Sequence, residues 1–350
     1  MRPWENSVRM MSLAAAGSTR KVEDAIIQYK QAPEKFSSRL FVLDLLKGQD
    51  LTTLPLGETQ PLLQGLDIQA STAIPFLSCG KVVVRPDQDL CRQLANTLLP
   101  IPVRMVRPPF DSIYIDLNEM NVHLEHYVGM RLRGVYCSIY RYKGAFSELG
   151  AADPARPDCL KVTVVADEPF DPANSDTVYV PGFALADAPL FPIDDDSVED
   201  TIAGDKWNLD LNATRATALE LVTYVRLCFG LCLYMSHPEL KQHVFPKMHH
   251  QHDRMQRDLQ CGKITEEMRK LINGGAGSVI KVKSAQSEPG EKKMSGVIGF
   301  TMPPHWRRGH WHLYWTGVGR AVEKYNWIKP ILVNPEKMTG EVKPKTYEVS

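Results

Sequence analysis

Two histidines two residues apart, with arginines before them and tryptophans between and beyond, form the densest chemistry-bearing cluster in the chain: Arg307-Arg308-Gly309-His310-Trp311-His312, followed by Tyr314 and Trp315. Four of the six tryptophans fall between Trp306 and Trp327, interleaved with Arg320 and Lys324. Histidine titrates near neutrality, so a pair sharing one surface can supply a general acid and a general base, with guanidinium groups stabilising the charge that develops on a phosphodiester. His310 and His312 are thus the candidate catalytic pair of a metal-independent ribonuclease. The same residue types suit two kinds of binding. Aromatic rings give rigid contact area and arginine gives planar, multiple hydrogen bonding, as peptide recognition requires. Bases stack on such rings and phosphates pair with such cations, so RNA binding is a third reading. The plainest alternative assigns the tryptophans to a core, where aromatic side chains are at home, but their density argues against it.

Other candidates are weaker. His249, His250 and His252 carry the commonest transition-metal ligand, yet on a helix only the 249 and 252 pair shares a face and no cysteine pair lies nearby, so no metal site is expected. Asp116 and Glu119 follow a candidate strand and could face basic residues of a bound peptide, although such acids are usually just solvated. The seven cysteines, odd in number and without Cys-x-x-Cys spacing, read as reduced thiols of a cytosolic protein. Cys228 and Cys232, four apart in an apolar stretch, read as buried and inert. There is no phosphate-binding glycine loop, nucleophile elbow or dinucleotide fingerprint, which argues against ATP-driven and acyl-transfer chemistry and implies no cofactor.

The elements that must position the cluster follow from periodicity. In the tail, His310 to Trp315 reads as a strand with Trp311, Leu313 and Trp315 on one face and His310, His312 and Tyr314 on the other. Gly317 and Gly319 permit a turn, after which Tyr325 to Val333 returns, confined by Pro330 to an edge or bulge. The unit is a β-hairpin with an elaborated loop. Upstream, apolar residues from Lys21 to Lys47 recur at three and four, predicting helices, and Gln88 to Leu98 predicts another. Thr52 to Leu66 shows turn signals and no clean period. Strands are expected at Ser112 to Leu117, Val135 to Tyr142, Leu160 to Val165 and Thr177 to Val180. The acidic run Asp194 to Asp200 reads as a solvated loop or the start of a helix. Ala216 to Met235 is the most hydrophobic segment, but Glu220 and Arg226 interrupt it, so it reads as a buried central helix and not a membrane span. Gln251 to Ile272 is a further amphipathic stretch, and Gly274 to Gly296 reads as a flexible connector. The opening residues, Met1 to Arg20, read as a mobile N-terminus without a signal peptide.

This gives an α+β chain: a mainly helical region at 1–100, a mixed central region at 101–273, a connector at 274–297 and a C-terminal aromatic-rich β recognition unit at 298–350. With 350 residues and 43% hydrophobic content it can bury a substantial core. Forty-one basic residues balance forty-one acidic ones, so any affinity for nucleic acid must be local and none is expected for membranes.

The tail also carries a resemblance. Arg307 to His312, Tyr314-Trp315-Thr316-Gly317-Val318-Gly319 and Trp327 to Asn334 closely resemble the C-terminal signature of the second described type V-A anti-CRISPR family, a dense and specific match. Weaker echoes in Pro109 to Asn118, Thr177 to Pro181 and Leu227 to Pro238 extend it over Ile101 to Asn334. The resemblance implies inhibition of a type V-A CRISPR effector nuclease by preventing its biogenesis, in the service of phage or plasmid defence evasion. It further implies recognition of the effector's nascent N-terminal peptide and loss of the message being translated, in the cytoplasm. The message, the translating ribosome and a host ribonuclease are further expected partners. The peptide-binding residues expected are Arg307, Arg308, His310, Trp311, His312, Tyr314, Trp315 and Trp327, with Asp116 and Glu119; peptide recognition needs no catalytic residue, and His310 and His312 are the catalytic pair of the alternative reading.

Overall fold

The strand at Ser112–Asp116 shows why the molecule is layered. Ile113 and Ile115 point to one side and Tyr114 to the other, yet all three are buried, so both faces of the sheet must be covered. The computed structural model describes residues 5, 11, 19–33, 36–47, 56–120, 123–124, 130–140, 158–167, 183–187, 191–203, 215–236, 246–273, 278–282, 305–307, 309–328 and 331–333.

Helices α1 (Arg20–Gln31), α2 (Ser38–Leu45) and α3 (Leu56–Ser78) precede strand β1 (Val83–Pro86) and helix α4 (Gln88–Ala95). Strands β2 (Ser112–Asp116), β3 (His123–Leu124), β4 (Met130–Tyr140), β5 (Cys159–Asp167), β6 (Phe183–Asp187) and β7 (Phe191–Pro192) follow. Then come α5 (Val198–Ala203), α6 (Arg215–Ser236), α7 (Pro246–Gln260), α8 (Glu266–Ile272) and β8 (Val279–Val282). The main sheet runs β6-β5-β4-β2-β1-β8, with β1 parallel to both β2 and β8 and the remaining pairs antiparallel. The fold is α+β, with a helical N-terminal region and C-terminal strands.

One sheet face, carrying Ile113, Ile115, Val135, Cys137, Leu160 and Val162, packs with residues of α4 and α6 in the main core. On the other face Phe76 of α3 meets the rings of Tyr136 and Tyr114 at 5.3 and 6.3 Å. Two polar pairs form on that face: the Lys161 ammonium donates to Ser71 Oγ at 2.6 Å, and the Ser112 and Ser138 hydroxyls lie 2.7 Å apart. Gly134 is required by the same crowding, because a Cβ there would meet Ile115 O at 2.3 Å and the Tyr114 ring at 2.6 Å or less, beside a β-bulge. A second core joins α1, α2, α3, α7 and α8.

Several expectations change. Helix α3 begins at Leu56, inside the stretch expected to turn, because it is buried on two sides: Leu66, Ala70, Ala73, Ile74 and Leu77 face the second core while Phe76 faces the sheet. Two-sided burial erases the single apolar stripe that periodicity detects. Strand β1 interrupts the helical N-terminal region, and β8 occupies Val279–Val282 within the expected connector, with Ile280 and Val282 buried beside β1. The amphipathic stretch to Ile272 is two helices, parted at Gly262, whose φ is 72°. The central helix stands as α6. Arg226 pairs there with Glu199 of α5 at 2.6 Å, and Glu199 also accepts from Leu99 N at 2.8 Å, tying the acidic run to the core. The strand expected at Thr177 to Val180 lies outside the described residues, as does most of Met1 to Arg20. Among the described residues no helix is long and apolar enough to cross a membrane.

Candidate functional site

The tail folds as a two-stranded hairpin because its alternation matches the pleat. Strand β10 (His310–Thr316) pairs antiparallel with β11 (Val322–Ile328), Trp311 opposite Trp327 and His312 opposite Asn326. Strand β9 (His305–Arg307) pairs antiparallel with β12 (Ile331–Val333), Arg307 opposite Ile331, as a separate two-stranded sheet among the described residues. Gly317 and Gly319, with φ of 83° and 68°, close the turn at Val318–Arg320, and Thr316 Oγ1 donates across its base to Val322 O at 3.2 Å.

The two faces have different tasks. On the inner face Trp311, 8% exposed, joins the main core, its ring 5.2 Å from that of Trp327, and Tyr325 packs against the same core. Next along this face, Glu323 accepts from Arg104 at 3.1 Å, and the same guanidinium engages Asp195. Burial, and then the Glu323 carboxylate, raise the Tyr325 hydroxyl pKa above its usual range, while Arg104 opposes them. The outer face carries His310, His312 and Tyr314, with centroids 6.5 Å apart for the histidines and 4.4 Å for His312 and Tyr314. His312, Tyr314 and Lys324 are exposed, whereas His310 and Asn326 are half-buried. Beyond the body, the tip exposes Trp315 at 52%, Val322 at 56% and Val318 completely.

The structure thus sorts the residues singled out from sequence. His310, His312 and Tyr314 come together on one surface, as the alternation predicted. Trp311 and Trp327 lie on the opposite face and dock the hairpin, and Trp315 shares their face but stands free near the tip. Arg307 lies in β9, Arg308 lies outside the described residues, and nothing is described of the Arg307 side chain. Asp116 is engaged by Arg85 through bonds of 2.7 and 3.1 Å and caps Asn118 N, while Glu119 is exposed in the short turn Asn118–Met120, its carbonyl accepting from Gln88. His249, His250 and His252 lie along α7, their side chains outside the described set.

Sequence reasoning missed the Arg104 clamp and one cluster. Cys137 of β4 meets Cys228 and Cys232 of α6, with the three Sγ atoms within 4.8 Å of one another. The S–H groups of Cys228 and then Cys232 draw the Cys137 pKa down to about 5, whereas burial holds Cys228 well above the usual thiol range and the bond with Cys137 does the same for Cys232. The available signal was that Cys137 is an inward position of a strand and that two cysteines four apart share a helix face.

A family model described as AcrVA2-like, anti-CRISPR type V subtype A2 family, matches residues 84–335, more than half of the chain. A solved structure titled "Crystal structure of AcrVA2" aligns over 93% of this chain and 97% of its own, at 14% identity and a TM-score of 0.47. No curated protein matches the sequence.

Proposed function

This chain belongs to the AcrVA2-like family, anti-CRISPR type V subtype A2, and from that premise we propose that its hairpin recognises the nascent N-terminal peptide of a type V-A CRISPR effector nuclease. Recognition lowers effector expression through loss of the translated message, which a recruited host ribonuclease degrades. The observation that carries this reading is the outer face of β10, where the His312 and Tyr314 rings lie 4.4 Å apart yet remain open beside Lys324. Rigid rings and a cation on a pinned hairpin give contact area at little ordering cost. Among the described residues β10 and β11 pair only with each other, so an extended peptide can add to a strand edge while its alternate side chains meet these rings.

The test is co-expression with an effector gene in two forms, one recoded synonymously over its first codons and one encoding an altered N-terminal peptide. Message loss that survives synonymous recoding and disappears with the altered peptide supports peptide recognition; the opposite pattern points to RNA.

A second reading rests on His310 and His312 sharing one face at 6.5 Å, a placement that lets one act as base and the other as acid on RNA. It requires cleavage of the effector message by the purified protein alone in the presence of a metal chelator.

A further inference from the structure

Six of the seven cysteines are buried, and three of them converge from two elements. Cys137 occupies an inward position of β4 with Val135, while Cys228 and Cys232 lie one turn apart on α6 in the same core. All three have 0% exposure, and every pair of their Sγ atoms lies within 4.8 Å.

We propose that Cys137, Cys228 and Cys232 form a buried three-sulfur site for one soft, three-coordinate thiophilic ion. With a bond to sulfur of about 2.3 Å, the sulfurs of a three-coordinate centre stand about 3.4 Å apart when it is pyramidal and about 4 Å apart when it is planar, so a contraction of the triangle closes it on an ion. Thiolate ligands select soft ions over hard ones. Among the described residues no fourth histidine, cysteine or carboxylate joins the group, so a tetrahedral zinc centre lacks a ligand.

Charge narrows the class further. Three thiolates bring three negative charges into an apolar core, where uncompensated charge is costly, and a trivalent centre cancels them. Arsenite is therefore the probe: three S–H groups condense with As(OH)3, forming three As–S bonds and releasing three waters, with no change of oxidation state or net charge. The bound centre ties β4 to α6 and stabilises the fold by linkage.

The experiment refolds the full chain from denaturant with arsenite and a thiol-free reductant, then measures intact mass and melting temperature. The expected result is one arsenic per chain and a raised melting temperature, retained in Cys261→Ser and lost in Cys137→Ser, Cys228→Ser and Cys232→Ser. Valine replacements at the same positions are run in parallel, so that a folding failure in one series leaves the other. A wild-type chain that regains its native circular dichroism without gaining arsenic overturns the proposal. So does an adduct that survives loss of any one of the three thiols, or stoichiometric zinc binding by the same three.

Discussion

Trp311 and Trp327 face each other across the β10–β11 ladder with ring centroids 5.2 Å apart, and the Trp311 side chain is buried in the core that also holds β2, β4 and α6. The Trp311 indole, with Tyr325 and Trp327 packed beside it, therefore couples the hairpin to the body.

From this anchoring, Trp311→Ala destabilises the whole protein by about 3–5 kcal/mol, the usual cost of removing a buried tryptophan, and His312→Ala changes stability by less than about 0.5 kcal/mol. Denaturant unfolding of the two variants beside wild type checks the contrast. Equal losses would contradict the division into an inner and an outer face.

The Arg104–Glu323 bridge, with side chains 41% and 27% exposed, contributes little on its own. A double-mutant cycle with Arg104→Ala and Glu323→Ala is expected to give a coupling of about 0.2–1 kcal/mol. Hydrogen exchange of β10 and β11 amides locates the effect, which is expected to be faster exchange in the hairpin and unchanged exchange in β4 and β5.

Gly134→Ala forces a methyl against Ile115 O and the Tyr114 ring. The expected loss is about 1–3 kcal/mol or more, because a backbone carbonyl cannot yield as a flexible side chain can. Thermal unfolding measures it, and an unchanged melting temperature would refute the close approach.

Alkaline pH should weaken the fold in a defined window. Burial, reinforced by Asp111, holds Cys79 up to about 12, and burial, reinforced by Asp87, does the same for Cys91, against an ordinary value of 9.0. A thiol whose folded pKa is raised keeps its proton while the unfolded chain loses it, so the contribution is complete below pH 9.0 and is lost as pH rises to about 12. Each group steepens the fall by up to about 1.4 kcal/mol per pH unit. Stability curves of Cys91→Ala against wild type should show a shallower alkaline decline in the variant.

How much of this was legible in the sequence depended on burial. Strands with one uniform period were readable: Ser112 to Leu117 alternates, and so does His310 to Trp315, where the alternation alone separates His310, His312 and Tyr314 from Trp311. Helix α6 was readable because its long apolar run is interrupted by Glu220 and Arg226. Helix α3 was not, since it hides its period between two cores, and neither was β1, whose four residues Val83–Pro86 are too short a run to show one. A contact between distant segments such as Arg104 with Glu323 leaves no mark in local spacing, and the cysteine cluster leaves only the inward strand position of Cys137 and the helix spacing of Cys228 and Cys232. The tail's chemistry was visible, but which tryptophans face inward required the body they dock on.

The central claim is that the outer face of β10 binds the effector's nascent N-terminus. Its most direct test is the affinity of purified protein for a synthetic peptide of that sequence, comparing wild type with His312→Ala and Tyr314→Ala, each shown to be folded. The account predicts measurable binding by wild type and at least a tenfold loss, about 1.4 kcal/mol, in each variant. Undiminished binding by both folded variants, or no binding by wild type, would contradict it.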